Sequence, residues 1–379
     1  MIYLDSGATT LEKPEAVSRA MARAVRTMSS PGRGSYQATR LAEETDFACR
    51  TEAAALFGVA DSSRVVFTMN ATHGLNIAIR SLVKPGMTVV ITGYEHNAVT
   101  RPLHAIEGVK LVILDTPPFC PEQMVTELEA ALRQGADAAV FNHVSNVFGC
   151  VQPIDEMAAL CRKHRVPFVV DASQSAGVLP VSLEQWGADF VAMPGHKGLY
   201  GPQGTGLLLC GDTLAQPLLC GGTGSQSRLQ TMPTELPDRL EAGTHNMPGI
   251  AGLLEGIRFV RRTTTERIAC HERKLAMQAV EALRRMDGVR VFYEDGFAHQ
   301  TGVVSFIAEG YDCQELGEAM ARRGVALRAG LHCAPVAHRT AGTLNTGTVR
   351  LSPSAFNRPE QIVRFAEELA GALREKVTV

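Results

Sequence analysis

Between about residue 40 and residue 210, short apolar runs rich in β-branched residues alternate with stretches of helical periodicity. That alternation is typical of a parallel α/β sheet, in which a helix connects each strand to the next. Several runs are hydrophobic almost throughout, as expected of strands that helices cover on both faces. We therefore predict an α/β fold with a mostly parallel seven-stranded sheet. Its predicted strands are residues 64–68, 88–92, 110–114, 138–142, 167–170, 190–193 and 206–210, with helices at 121–134 and 154–164 among the connections.

The sequence pattern in the remainder of the chain predicts a second, smaller domain. Residues 221–249 are rich in Gly, Pro, Ser and Thr and indicate a long loop, a feature that tends to be functional in compact enzymes. Helical periodicity then returns, followed by a mixed α+β pattern with strands at 289–292, 303–307 and 349–351 and helices at 313–323 and from 359. A chain of 379 residues is long for one core. We expect a large domain of residues 15–258 and a small domain of residues 1–14 and 259–379.

The composition excludes several classes of function. The formal net charge is −2 and the basic residues are scattered, which argues against nucleic-acid binding. The apolar stretches are too short to span a membrane, and the first residues lack the features of a signal peptide. Nine cysteines, spread along the chain without a CxxC pair, favour neither a disulfide framework nor a metal site. We therefore expect a cytoplasmic protein that binds no membrane, nucleic acid or metal.

Polar residues follow five of the predicted strands. In an open α/β sheet, ligands bind beyond the carboxyl ends of the strands. Hydroxyl and amide groups at a helix start suit a phosphate, and an acid, imidazoles and a glycine-flanked lysine accompany them. In the order of the strands, these residues are Thr72 and His73, then His96, then Asn146, then Asp171 and Gln174, then His196 and Lys197.

This set of groups suits a phosphorylated aromatic aldehyde, pyridoxal 5′-phosphate (PLP). A lysine forms the Schiff base, and desolvation and nearby cations help it to lose its proton. A carboxylate facing the pyridine nitrogen makes the ring an electron sink, and a flat side chain holds the ring face. Each residue alone has a plainer reading, since Asp171 could cap a helix and a lone histidine is more often structural. A nucleotide-binding lysine is disfavoured because residues 201–206 lack the GxxxxGK[ST] pattern and precede a strand.

A second polar cluster lies near the C-terminus, at residues 328–335. It contains a glycine and has no regular period, so we expect a mobile loop. Cys333 adjoins His332 and lies five residues after Arg328, a setting that favours a thiolate. A buried structural cysteine remains the alternative. Downstream, Arg350 lies in a predicted strand, where it could grip a substrate carboxylate bidentately or serve in a salt bridge.

Taken together, these residues resemble the class V, fold-type I PLP-dependent aminotransferase family, and within it the group II cysteine desulfurases and selenocysteine lyases. The resemblance extends from residues 3–10 (YLDSGATT) to residues 349–351 (VRL). Its most specific parts are DASQ at 171–174, GHK at 195–197 followed by YGP at 200–202, and RAGLHCA at 328–334. The resemblance implies the fold of the fold-type I PLP-dependent transferases.

The resemblance also implies a role for each matching residue. Lys197, Cys333 and His96 would be catalytic, with Lys197 as the Schiff-base lysine and His96 stacked on the ring. Substrate would be bound by Arg350, Arg328 and Asn146. The residues implied in cofactor binding are Asp171 at the pyridine nitrogen, Gln174 and Asn146 at the ring hydroxyl, Thr72, His196 and the backbone of His73 at the phosphate, and Thr244 at the phosphate of a neighbouring subunit. The last match implies a homodimer with shared active sites.

The implied reaction converts L-cysteine to L-alanine. Lys197 would remove the Cα proton, and the Cys333 thiolate would attack the substrate Sγ and become a persulfide, by the logic of thiol exchange. A sulfur-acceptor protein and a role in sulfur mobilisation such as iron–sulfur cluster assembly would follow. The alternatives are a selenocysteine lyase, a class V aminotransferase or epimerase in which Cys333 is not catalytic, and a non-enzymatic binding module.

Two positions and one segment depart from the family pattern. Pro194 stands where a serine is often found, which would remove one phosphate hydrogen bond. After the turn formed by Gly32, Arg33 and Gly34, Tyr36 stands in the place of a frequent histidine, which affects substrate contacts. Residues 221–244 also form a shorter stretch than in many relatives, which would alter how an acceptor protein docks.

Overall fold

The computed structural model of the protein describes residues 1–32 and 34–377, except for the side chains of residues 376 and 377. Arg33 of the predicted turn therefore lies outside the described residues. The described strands are β1 (Ile2–Tyr3), β2 (Val65–Thr68), β3 (Thr88–Thr92), β4 (Lys110–Leu114), β5 (Ala138–Asn142), β6 (Phe168–Asp171), β7 (Phe190–Pro194), β8 (Gly206–Cys210), β9 (Val289–Phe292), β10 (Val304–Ala308), β11 (Val325–Ala326), β12 (Arg328–Gly330) and β13 (Thr348–Leu351).

Helices connect most of these strands. They are α1 (Glu15–Thr27), α2 (Gln37–Leu56), α3 (Ala71–Leu82), α4 (Asn97–His104), α5 (Pro121–Arg133), α6 (Ile154–His164), α7 (Leu183–Trp186), α8 (Met247–Thr263), α9 (Thr265–Leu283), α10 (Cys313–Arg322), α11 (Pro335–Thr340) and α12 (Pro359–Val377). None of the helices described is both long and apolar enough to cross a membrane.

The large sheet has seven strands in the order β2-β8-β7-β6-β5-β3-β4, which confirms the predicted sheet. Every strand is parallel to the rest except β8, which is antiparallel to both of its neighbours. Its direction follows from the connection, because a turn without a helix joins β7 to β8 and the chain returns directly beside the strand it left. That turn, residues 195–205, contains Lys197.

Both faces of the large sheet are buried. Along β3, Val89 and Ile91 belong to one apolar core and Val90, which points the other way, belongs to a second core on the opposite face. Residues 211–246, all of them described, contain neither helix nor strand, in agreement with the predicted loop.

The C-terminal part contains a separate antiparallel sheet in the order β12-β13-β10-β9. Its apolar core includes residues of α9, α10 and α12 together with Ile2 and Leu4 of the N-terminus. The N-terminal segment reaches this core because β1 pairs in parallel with β11. The first residues thus pack with the C-terminal part, while the division into two domains and its limits at residues 14 and 258 stay a prediction.

A buried ion pair attaches the end of the long loop to α2. The Arg50 guanidinium donates to both carboxylate oxygens of Glu241, at 2.8 and 2.6 Å, and also to Asp46. His245 bridges Asp46 and Glu241, and its hydrogen bonds to these two carboxylates raise its pKa to about 9. The imidazole is therefore charged at neutral pH, so the two acids face two cations in a buried network.

We expect Arg50→Ala to lower the free energy of unfolding by about 3–5 kcal/mol, because it leaves the buried Glu241 carboxylate without its principal partner. Urea denaturation followed by circular dichroism measures the change. Arg64→Ala is the matched control: its pair with Asp212 is exposed, with side-chain accessibilities of 39% and 92%, and we expect a loss of at most about 1 kcal/mol. Equal losses in the two variants would contradict this account.

Candidate active site

A cavity of about 230 Å³ opens at the carboxyl ends of the parallel strands. A cavity of roughly 150 Å³ holds benzene, so this one can accept a substituted aromatic ring. Its walls include seven residues singled out in the sequence: Thr72, His96, Asn146, Asp171, Gln174, His196 and Lys197. Residues scattered over more than 120 positions thus meet because their strands end at one edge of the sheet.

Asp171 is the last residue of β6 and is almost fully buried. Its Oδ1 accepts a hydrogen bond from the backbone N–H of Ser173 at 2.9 Å, which fixes the carboxylate at the start of the following turn. Among the described residues, none donates a hydrogen bond to the second carboxylate oxygen. An unpaired carboxylate oxygen in a cavity wall is suited to the protonated nitrogen of a heteroaromatic ring.

Lys197 lies in the turn between β7 and β8. The turn is tight, since Gly201 N–H donates to the Gly195 carbonyl at 2.7 Å. Gly198 must be glycine here, because a Cβ would lie 2.4 Å from the Ala176 carbonyl oxygen. Burial lowers the pKa of Lys197 to about 8, although the negative charge of Asp171 opposes the shift. About one amine in ten is therefore neutral, and nucleophilic, at pH 7, far more than for a lysine with an unshifted pKa.

His96 caps the N-terminus of α4. Its Nδ1 accepts from the Ala98 backbone N–H at 3.0 Å, so Nε2 carries the proton of the neutral ring. Burial, reinforced by the charge of Lys197, lowers the pKa of His96 to about 4. The side chain in the cavity wall is thus an uncharged, oriented, flat ring, which is the property required of a residue that packs against a cofactor.

The opposite end of the cavity suits an anion. Thr72 lies in the first turn of α3, where backbone N–H groups favour phosphate. His196 contributes an imidazole whose Nδ1 lies 3.0 Å from Thr9 Oγ1, and burial lowers its pKa to about 4. Pro194 also lies in the wall and has no N–H to donate.

His73 is not brought into the cavity. Its backbone N–H, the group predicted to reach the phosphate, instead donates to the capping Asn70 Oδ1 at 2.9 Å. Its ring lines a neighbouring groove, and that groove also contains the exposed Thr244. Thr244 is therefore separate from the cavity of its own chain.

The donor set of the cavity fits PLP. Besides the lysine, the carboxylate and the helix start, Asn146 presents a buried Oδ1 that has no hydrogen-bond partner. Gln174 donates through Nε2 to the Gly7 carbonyl at 2.9 Å and lines the same cavity. In the part of the chain that is described, no group of three or more His, Cys, Asp or Glu side chains is placed to bind a metal ion.

Arg350 lies beside this cavity in a paired state. Its Nη2 lies 2.7 Å from Asp5 Oδ1, and its Nη1 donates to the Asn146 carbonyl at 2.8 Å. Arg350 thus forms the salt bridge that was one of its two predicted roles. Its Nε is buried without a partner among the described residues. Arg328 is the cross-strand neighbour of Arg350 and is exposed. Binding of a substrate carboxylate by these arginines stays a prediction.

The Cys333 segment is more regular than the predicted mobile loop. Strand β12 precedes it and α11 begins at Pro335, a residue favoured at the first helical position. His332 and Cys333 have φ angles of 49° and 55°, a conformation that non-glycine residues adopt only where contacts enforce it. The enforcing contacts are Asn146 Nδ2 to the His332 carbonyl at 2.8 Å and the backbone N–H of Asn97 to the Cys333 carbonyl at 2.7 Å.

The Cys333 side chain is exposed, and the histidine beside it does not act as predicted. The His332 ring points into the core, where Nε2 lies 3.0 Å from Thr348 Oγ1. Burial holds the pKa of His332 well below its usual value. The imidazole is therefore neutral and offers no positive charge to a Cys333 thiolate, which corrects the expectation drawn from their adjacency.

Asp5 and Asn97 are site residues that the sequence alone did not single out. Asp5 pairs with a residue 345 positions away, and Asn97 acts through its backbone. Neither interaction has a local signature in the sequence. Tyr36, which replaces a frequent histidine, is exposed and lies outside the cavity wall.

The chain is similar to proteins of known family over nearly its whole length. The Aminotransferase class-V family matches residues 2–365. A protein of Pyrococcus abyssi named "Probable cysteine desulfurase" is 31% identical over 388 residues, with 99% of this chain and 95% of that protein covered. A protein of the same name from Mycolicibacterium paratuberculosis is 30% identical, and the match spans 96% of this chain and 54% of the longer relative.

Two solved structures show the same fold. The apo structure of a cysteine desulfurase from Thermococcus onnurineus superposes with a TM-score of 0.89 at 30% identity, covering 100% of this chain and 94% of that one. The cysteine desulfurase CsdA (S-sulfonic acid) from Escherichia coli gives a TM-score of 0.86 at 27% identity, covering 98% and 94%. These similarities confirm the predicted fold-type I architecture.

We expect Asn146→Ala to accelerate hydrogen exchange in residues 331–338 by about fivefold, since it removes one hydrogen bond, worth about 1 kcal/mol, from the Cys333 turn. Mass spectrometry of peptic fragments measures the rates. Asn76→Ala is the control, because Asn76 Nδ2 makes a similar bond, to the Thr72 carbonyl at 2.9 Å, elsewhere in the chain. Unchanged exchange at 331–338 in Asn146→Ala would refute the contact's role.

Proposed function

Because the chain belongs to the class-V aminotransferase family, we propose that it is a PLP-dependent cysteine desulfurase, which converts L-cysteine to L-alanine and receives the sulfur on Cys333 as a persulfide. One observation carries the proposal. The turn that presents the exposed Cys333 thiol is hydrogen-bonded to Asn146, a wall residue of the cavity that contains Lys197. This contact supports the assignment of the Cys333 thiol and the low-pKa Lys197 amine to one site.

The cavity residues would divide the contacts to PLP. Lys197 would hold it covalently, Asp171 would face the ring nitrogen, and His96 would pack on the ring. Thr72 and His196 would bind the phosphate, and Gln174 and Asn146 would lie near the ring hydroxyl. When bound, PLP supplies an electron sink that acidifies the Cα–H of an amino acid.

The chain's own groups supply the remaining chemistry. The Lys197 amine takes the proton from the substrate Cα, which its lowered pKa permits near neutral pH. The Cys333 thiolate attacks the substrate Sγ, so that an S–S bond forms, the Cβ–S bond breaks and a proton takes the place of sulfur on Cβ. Arg350 and Arg328 would orient the substrate carboxylate.

Assembly and location form a second part of the proposal. A homodimer is supported by the exposed Thr244, whose groove is flanked by the exposed apolar side chains of Met69 and Leu219. A cytoplasmic location is supported by the nine cysteines, all of them free thiols. The persulfide would then pass to a sulfur-acceptor protein, and sulfur mobilisation such as iron–sulfur cluster assembly would follow.

Cys333→Ala should lower the rate at which alanine and sulfide form from cysteine by at least about 100-fold, because no thiolate remains to take the sulfur. The protein should stay yellow with bound cofactor, since Lys197 and the cavity are untouched. Amino-acid analysis and a sulfide assay with reductant give the rates. Cys270→Ala, which removes another exposed cysteine, should retain full activity. Unchanged desulfuration by Cys333→Ala, or alanine formed only with an amino acceptor, would sink the proposal.

Thr244→Ala should weaken PLP binding by about tenfold or more, because a hydrogen bond to a charged phosphate is worth about 1.5–3 kcal/mol. Mixing this variant with Lys197→Ala chains should restore a tight site: the intact lysine of one chain then meets the intact threonine of the other. Cofactor titration of the mixed and unmixed proteins measures the affinities. Absence of this complementation would contradict shared sites.

A further inference from the structure

A second, smaller cavity lies behind Lys197. It shares Ser173, Gln174 and Lys197 with the larger cavity, and its far wall includes Tyr200 and Glu272. Its volume is about 30 Å³, which has room for about two water molecules at about 10–15 Å³ each. Lys197 therefore borders two compartments, one that would hold the cofactor and one that can hold water.

Glu272 is an unusual wall residue. It projects from α9, is 7% exposed, and forms no ion pair with any described cation. Its one described side-chain contact is with the hydroxyl of the fully buried Tyr200, at 3.4 Å, which is long for a hydrogen bond. That hydroxyl already accepts from the Ala355 backbone N–H at 2.9 Å. This long hydrogen bond favours the charged form, but it opposes only part of the cost of burying a carboxylate.

Burial accordingly raises the pKa of Glu272 to about 8, so the side chain is a neutral carboxylic acid at pH 7. The titratable side chains in the wall of the small cavity are Lys197, Tyr200 and Glu272. On α9, the neighbouring His271 is engaged through Nε2 with the Asn357 carbonyl, and the Nε of Arg273 is buried without a partner. Lys197 and Glu272 thus border one small polar space and titrate in the same range.

We propose that Glu272 is a proton reservoir for Lys197, connected to it by water in the small cavity. The inference rests on the proposed desulfurase function. Formation of alanine requires a proton at Cβ, where sulfur leaves, and the return of a proton to Cα. The Lys197 amine can carry one transferable proton at a time, so a second donor must recharge it.

The proton balance closes with Glu272 as that donor. Its carboxylic acid gives a proton through water to the neutral Lys197 amine, leaving a carboxylate and an ammonium. The ammonium delivers the proton to carbon, and the carboxylate regains one from solvent, which received a proton when the Cys333 thiol became a thiolate. Glu272 therefore acts through Lys197 and does not touch the substrate.

The test compares Glu272→Gln with the wild type in the full-length protein freed of PLP. Reductive methylation of Lys197 between pH 6 and 10, followed by mass spectrometry, gives the midpoint at which the amine becomes reactive. We expect the substitution to lower that midpoint by roughly a few tenths of a pH unit, because it removes the carboxylate that forms in the wall of the small cavity at about pH 8. In the holoenzyme, kcat should fall by about tenfold with KM nearly unchanged.

Two variants serve as controls. Glu281→Gln makes the same substitution at an exposed position of α9 and should change neither readout. Tyr200→Phe removes the hydroxyl contact but keeps the carboxylic acid. It should therefore shift the Lys197 midpoint far less than Glu272→Gln does. Equal shifts of the Lys197 midpoint in Tyr200→Phe and Glu272→Gln would assign Glu272 a purely structural role. An unchanged midpoint in Glu272→Gln would overturn the proposal. The midpoint is measured without cysteine, so failure of the desulfurase assignment would be seen separately, as absence of alanine formation by the wild type.

Discussion

The hydrogen bonds of the buried Glu95 carboxyl group hold together the strand ends on which the site is built. Its Oε1 accepts from Thr92 Oγ1 at 2.6 Å, at the end of β3, and from the backbone N–H of Asn142 at 2.8 Å, at the end of β5. Burial raises the pKa of Glu95 to about 8, so the group is neutral near pH 7 and adds no charge beside Asp171. These hydrogen bonds also fix the position of the next residue, His96. A change at Glu95 would therefore move His96 and one wall of the cavity together.

The site also depends on contacts between the large sheet and the C-terminal sheet. Arg350, on the latter, contacts the backbone of Asn146, and the side chain of Asn146 contacts the backbone of the Cys333 turn. The site is thus complete only where the two sheets meet. The N-terminal residues contribute to the same junction, since Asp5 follows β1, the strand that pairs with β11, and forms an ion pair with Arg350.

The sequence predicted the seven strands of the large sheet to within one residue at each end, because doubly covered strands are continuous apolar runs with recognisable ends. It also predicted seven residues of the cavity wall, since strand ends must converge. It could not predict interactions that depend on distant partners. The Asp5–Arg350 pair, the inward-facing His332 ring and the engaged backbone N–H of His73 each follow from packing between separate segments. One part of the regular Cys333 segment has a signal in the sequence: Pro335 is favoured at the first position of a helix.

Burial, more than charge pairing, sets the protonation states around Lys197. The two histidines of the cavity wall, His96 and His196, have pKa values lowered to about 4 and are neutral throughout the physiological range. Lys197 and Glu272, by contrast, both titrate at about 8. A change in catalytic rate around pH 8 would therefore come from the lysine and the acid behind it, while the imidazoles contribute shape and hydrogen bonds. This separation would let Lys197 exchange protons without competition from the neighbouring rings.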